Sequence, residues 1–305
     1  MAESGFRRLP AAVFLALGAV SIATPGAGQD WRDFRSARQL RGVEALDVQL
    51  LYAGGSMRVS PSEATLLYDA QLRYDADHLV PRRDWRREGD AGRLRLMVSS
   101  RTDGQNDFDA PFRLDGDLEL DLGYIEAADD AGRLAFALNP SVPTRLRVGV
   151  GAGRARLELG GMALTTLEFM AGAGDVRVGF ARENRVPMEL LSMKSGATGL
   201  VAEDLGNARF ERMELFGVIG DVTLDFSGAW RASAEAEVRM ALGELVMRVP
   251  REIGVRVTRS GLASLSAEGF RQEGDAWLSP NWESARVQLE ITLAAGLGSV
   301  TVERD

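Results

Sequence analysis

The feature that most constrains this chain is a recurring glycine pair between two runs of alternating apolar residues. From Arg147 the sequence reads RVGVGAGRARLEL, with Gly151 and Gly153. LEFMAGAGDVRVGF follows with Gly172 and Gly174, then LSMKSGATGLVA with Gly196 and Gly199. MELFGVIGDVTLDF carries Gly217 and Gly220, and VRMALGELVMRV carries Gly243. ITLAAGLGSVTVE holds Gly296 and Gly298, and VQLLYAGGSMRV shows the same form at Gly54 and Gly55. The second glycines stand at 153, 174, 199, 220 and 243, so the steps are 21, 25, 21 and 23 residues. A fixed period of this size marks a repeat architecture, in which each copy buries its apolar face against its neighbours.

Within one copy the apolar residues recur every second position. Leu146, Val148 and Val150 precede one glycine pair, and Val176 and Val178 follow the next. Val222, Leu224 and Phe226 follow Gly220, and Leu245, Met247 and Val249 follow Gly243. A period of two predicts strands with one face inward. Glycine between two such runs predicts a corner, where a side chain would be strained or obstructed. The segments Asn139 to Pro143 and Ala181 to Pro187 are short and turn-rich, and no helical period lies between the copies.

These features predict an all-β, single-domain β-solenoid of coils of about 21–25 residues, each built of two or three short strands. At strand spacing, nine or ten coils would make a rod of roughly 45 Å. A β-sandwich of hairpins is the alternative reading, because period-two strands alone fit both. The coils are expected over residues 45–305, after a lead-in over 29–44. Leu46 to Tyr52 reads as the first strand, and Pro81 with Arg82, Arg83, Arg86 and Arg87 reads as a loop. A polar, irregular loop is expected near 100–111, with strand pattern resuming at Leu114.

Residues 1–28 read as a signal peptide. Arg7 and Arg8 precede an apolar run from Ala11 to Ala23, which small residues follow. The run is shorter than the twenty or so residues that span a bilayer, so the mature chain is expected to be exported without a membrane span. An exported chain with no Cys must rely on burial and backbone pairing in place of disulfides.

Composition narrows the chemistry. Without Cys and with a single His, thiolate metal sites and Ser-His-Asp or Cys-His catalysis have no complete set of residues. A net charge of −8 argues against nucleic acid as partner. The glycine pairs precede strands, so they form no phosphate cradle and no nucleotide cofactor is expected. His78 lies beside Asp75, Asp77 and Asp84, and reads as a loop histidine. Asp107, Asp109, Asp115 and Asp117 are candidate calcium ligands, although their spacing matches neither an EF-hand nor a nonapeptide calcium repeat and they also fit a solvated strand face. The arginines at 82–87 are a candidate site for an anionic glycan or lipid head group. Trp230, Trp277 and Trp282 are candidate sugar-stacking residues or caps. The exposed strand edge at Val300 to Glu303 is a candidate for strand addition.

The Gly-x-Gly corner, the stretch LGNARFERMEL (Leu205 to Leu215) and the ending WLSPNWESARVQLEITLAAGLGSVTVE (Trp277 to Glu303) resemble the bacterial toast-rack domains. These occur in adhesin-like heads and in the extracytoplasmic parts of LiaF-like and PspC-like envelope stress proteins. The resemblance implies a β-solenoid and an envelope role, and it supplies no catalytic residues. It points to a non-catalytic secreted or periplasmic structural or interaction module whose partner is an envelope protein or a glycan. A calcium-dependent glycan binder is the alternative, and a polysaccharide-active enzyme is a third reading.

Overall fold

The computed structural model describes residues 29–63, 65–101 and 132–305. The segment read as a signal peptide, the residues of the polar loop from 102 onward and all four calcium candidates lie outside these residues.

The chain is all-β. Strands β1 (Trp31–Gln39), β2 (Ala45–Pro61), β3 (Leu66–Asp75), β4 (Leu79–Glu88), β5 (Ala91–Ser100) and β6 (Gly132–Leu138) build the N-terminal end. The long strands β7 (Thr144–Glu158), β8 (Leu164–Gly179), β9 (Met188–Glu203), β10 (Phe210–Asp225) and β11 (Ala234–Val249) follow. The C-terminal end has β12 (Gly254–Gly261), β13 (Ser264–Ala267), β14 (Arg271–Glu273), β15 (Ala276–Leu278) and β16 (Gln288–Arg304). One 3₁₀ turn, Leu205–Ala208, is the helical element among the described residues.

Seven long strands stack in the order β2-β7-β8-β9-β10-β11-β16, all pairing in parallel. Six strand spacings of about 4.8 Å make this stack roughly 30 Å long, shorter than the nine or ten coils expected. Each coil is one strand of 15 to 17 residues that turns at its glycine, followed by a return loop. The sequence suggested two or three short strands per coil. Backbone pairing instead runs through the corner, because the neighbouring coil turns at the same place.

The corner residues form a column. Gly55 pairs with Gly153, Gly153 with Gly174, and Gly243 with both Gly220 and Gly298. At Gly174 φ is +113°, and an added Cβ would lie 1.9 Å from the Gly153 carbonyl oxygen. The backbones therefore stack where a side chain has no room. In β9 the register places Thr198 opposite Gly174, while Gly199 lies one position later, opposite Asp175. Thr198 is absent from the positive-φ residues, so the column tolerates one non-glycine member.

Inward residues stack between the two arms. On the first arm Leu96, Leu50, Val148, Phe169, Met193, Leu215, Val238 and Leu293 pair in sequence across the coils, and all are buried. On the second arm Val59, Leu157, Val178, Ala202, Leu224, Met247 and Val302 do the same. Leu159, Met162 and Phe180 from the return loops join the same core. Each such large side chain contributes about 1.5–3 kcal/mol on burial.

The two ends depart from the repeat. At the N-terminal end the arms of β2 part company. Its first arm takes β5 in parallel, and its second arm takes β6 in parallel, with β3 and then β1 added antiparallel. Residues 79–88, read as a loop from Pro81 and the arginines, form β4 and pair antiparallel with β5. Proline fits there because β4 has this single partner among the described residues, so one edge needs no backbone donor. At the C-terminal end the last strand is not the edge. β16 inserts between β11 and the β12–β13 segment, with Val300 opposite both Leu245 and Leu265. Of the edge read at Val300 to Glu303, Val300 to Val302 are thus already paired on both sides, which removes them as a site for strand addition.

Candidate functional site

The return loops are pinned by asparagines. Asn184 is 0% exposed. Its Oδ1 accepts from the Leu164 N–H at 2.9 Å, and its Nδ2 donates to the Leu164 and Val186 carbonyls at 2.7 Å. Asn139 donates to the Leu66 carbonyl and accepts from the Ser141 N–H. Asn207 bridges the Phe180 carbonyl and the Ala229 N–H. Asn281 donates to the Arg251 and Ile253 carbonyls. Asn139 and Asn184 fall in segments that the sequence marks as turn-rich, whereas Asn207 and Asn281 fall in the stretches that carry the toast-rack resemblance. The recurrence of Asn in the return segments was the available signal.

The tryptophans divide. Trp230 donates to the Phe226 carbonyl at 2.8 Å and meets Phe210 edge-on, beside Gly206, so it plugs the 3₁₀ corner. Trp277 packs on the core from β15. Trp282 lines an open cavity at the C-terminal end with Phe270, Pro280 and Glu283.

His78 donates through Nδ1 to Asp75 Oδ2 at 2.9 Å, and its side chain is largely exposed. Asp75 itself is 1% exposed. Burial alone would raise its carboxyl. Hydrogen bonds from the Asp77 and Asp30 backbones and from His78 outweigh that and hold it below its ordinary value. This pair fixes the turn between β3 and β4. Among the described residues no group of three or more His, Asp or Glu is placed to hold a metal ion.

The arginine group at 82–87 is partly spent on structure. Arg87 donates to the carbonyls of Arg41, Gly42 and Gly89, and Arg86 pairs with Asp84. On the same side of the rod, Arg93 and Arg147 share Asp47, and Arg95 donates to Gln49.

A different arginine group lies on the outer face of the second arm, and sequence reasoning missed it. Arg133 and Arg154 stand on either side of Ser56 in one row across the strands. Arg58, Arg156 and Arg177 stand side by side in the row two positions on. These five line a shallow cavity of about 690 Å³, in which Asp175 stands beside Arg154 on β8 and Asp221 lies two coils further on. Arg58 pairs with Glu158 and Arg177 with Glu203. Arg133 and Arg156 are exposed and form no ion pair with a described carboxylate. The arginines come from β2, β6, β7 and β8, up to 119 residues apart, so only the coil register brings them together.

The first row changes sign along the rod: Arg154 is followed by Asp175, then Gly199, and Asp221 is followed by Glu244. Next to the corner, Ile219, Leu242 and Leu297 pair in register and are 52%, 45% and 61% exposed. The same position in earlier coils holds Gly54, Ala152, Ala173 and Ala197. An aliphatic ridge thus marks the C-terminal half of the corner.

A solenoid with glycine corners, inward aliphatic ladders and asparagine-pinned return loops is the class that fold and surface define. The family described as the N-terminal domain of toast-rack, DUF2154, matches residues 27–190, and the chain belongs to that family. No curated protein matches the sequence. Among solved structures, a candidate cell adhesion protein from Clostridium sporogenes is 16% identical with a TM-score of 0.43, over 90% of this chain and 100% of that one. A candidate adhesin from Bacteroides fragilis is 11% identical with a TM-score of 0.35, over 88% and 97%. A candidate lipid binding protein from Parabacteroides distasonis is 9% identical with a TM-score of 0.24, over 88% and 96%. No helix of the described residues is long and apolar enough to cross a membrane.

Proposed function

We propose that this protein is an exported, non-catalytic interaction module of the bacterial envelope, with residues 1–28 as its cleaved leader. The observation that carries the reading is a division of labour between the two faces of each strand. Inward positions are nearly uniform aliphatic ladders, whereas outward positions differ from coil to coil while held at fixed spacing. Such a frame presents side chains to a partner without moving, which lowers the ordering cost of binding. Toast-rack membership supports the envelope assignment.

The test is cosedimentation of the chain lacking residues 1–28 with isolated envelope and with cytosolic fractions. Saturable binding to the envelope fraction, with no release of soluble sugar or peptide fragments, is the expected result. Absence of envelope binding, or steady turnover of an envelope polymer, overturns the reading.

A further inference from the structure

We infer that the outer face of the second arm binds a linear anionic polysaccharide, a chain of carboxylate-bearing sugars laid across the strands. The inference rests on the envelope-module reading and assigns its ligand class and its site.

Arg58, Arg156 and Arg177 occupy equivalent positions of three successive coils. Their backbones are spaced at about 4.8 Å, so a chain crossing the strands meets a guanidinium at every step. Arg133 and Arg154, flanking Ser56, form a second row beside the first. Two parallel rows define a track and not a single point of charge. Guanidinium groups present a planar fork that matches a carboxylate.

On the first arm Arg86, Arg87, Arg95 and Arg147 are tied to Asp84, backbone carbonyls, Gln49 and Asp47. Arg82 and Arg83 are exposed there, but they follow one another along β4 and form no row across coils. On the second arm Arg133 and Arg156 keep their charge unmatched by any described carboxylate. The Arg58–Glu158 and Arg177–Glu203 pairs are exposed, and such pairs are worth little and yield readily to a competing anion. Asp175 ends the shorter row beside Arg154, and Asp221 lies two coils beyond it on β10; both repel an anionic chain from the remaining coils.

Shape selects a polymer over a bilayer. The arginines line a recess, whereas a planar membrane surface contacts what protrudes. The aliphatic residues that could enter a bilayer, Ile219, Leu242 and Leu297, sit at the corner of the C-terminal half, away from the basic end.

The test is isothermal titration of the chain lacking residues 1–28 with polygalacturonate, with neutral dextran and with phosphatidylglycerol vesicles. Polygalacturonate should bind and should weaken as salt rises, and dextran should give no heat. Arg133→Ser and Arg156→Ser should each weaken polygalacturonate roughly tenfold, the loss expected for one charge-assisted hydrogen bond. Arg83→Ser, on β4, should change nothing, and all three variants should melt with the parent chain. Failure of polygalacturonate to bind, equal affinity for Arg156→Ser, or binding to vesicles without binding to polygalacturonate overturns the inference. Envelope sedimentation separates the two readings. If it survives Arg133→Ser and Arg156→Ser, the site is wrong and the module reading stands; if the parent chain fails to sediment, the module reading itself falls.

Discussion

Asn184 holds Leu164 by both ends of its amide: Oδ1 accepts from the Leu164 N–H at 2.9 Å, and Nδ2 donates to the Leu164 carbonyl at 2.7 Å. The two residues are twenty positions apart, one coil removed. The amide therefore substitutes for a strand where the return loop has none. It lets the loop enter the core without leaving backbone groups unpaired, since an unsatisfied buried group costs about 1–3 kcal/mol.

Replacing Asn184 with Ala removes three hydrogen bonds and strands buried partners on Leu164 and Val186. The expected loss is about 3 kcal/mol in urea unfolding. Asn184→Asp should be nearly as costly, because a carboxylate accepts but cannot donate to the two carbonyls. A loss below about 1 kcal/mol for Ala would mean that water replaces the amide.

The glycine column predicts position-dependent costs. Gly243→Ala would place a Cβ 1.9 Å from the Gly220 carbonyl oxygen at φ +139°. Backbone strain and the forced separation of two coils together should cost about 3 kcal/mol or more. Gly89 also has positive φ, but nothing lies within 4 Å of its added Cβ. Gly89→Ala should then cost only about 1 kcal/mol. Chemical denaturation of the two variants measures the difference.

The Asp75 carboxyl predicts an acid limb. Its folded pKa lies below the ordinary value of 3.8. A carboxylate favoured in the folded state contributes stability in full above the unfolded-chain value, and that stability is lost as pH falls through the folded value. Thermal melting between pH 6 and pH 2 should show a fall below about pH 4. Asp75→Asn should have a lower melting temperature at pH 6 and a shallower acid limb.

The repeat was legible because the physics that builds it is local. Val148, Phe169 and Leu215 announce their inward face by alternation, and Gly153, Gly174 and Gly243 announce the corner. What the sequence did not disclose depends on which coil lies beside which. Gly199 satisfied the spacing, yet the register puts Thr198 in the corner column, a one-residue difference that spacing alone does not reveal. The last strand, β16, looked like an edge by being last, but β12 and β13 stack outside it. The basic face was hidden for the same reason: Arg58 and Arg156 are 98 residues apart and become neighbours only through register. Arg82 to Arg87, conspicuous as a cluster, are instead partly consumed in holding a hairpin.

The central claim is parallel, in-register stacking of coils, and a chain without Cys allows it to be tested against no background. Thr223 and Val246 face outward as direct partners on β10 and β11, while Val201 lies one coil further away on β9. Introduced as cysteines, Thr223→Cys with Val246→Cys should be joined efficiently by a short thiol-to-thiol crosslinker in the folded protein. Val201→Cys with Val246→Cys should not be joined. Crosslinking of the second pair and not the first, or of neither, would contradict the solenoid register and, with it, the basic face built on that register.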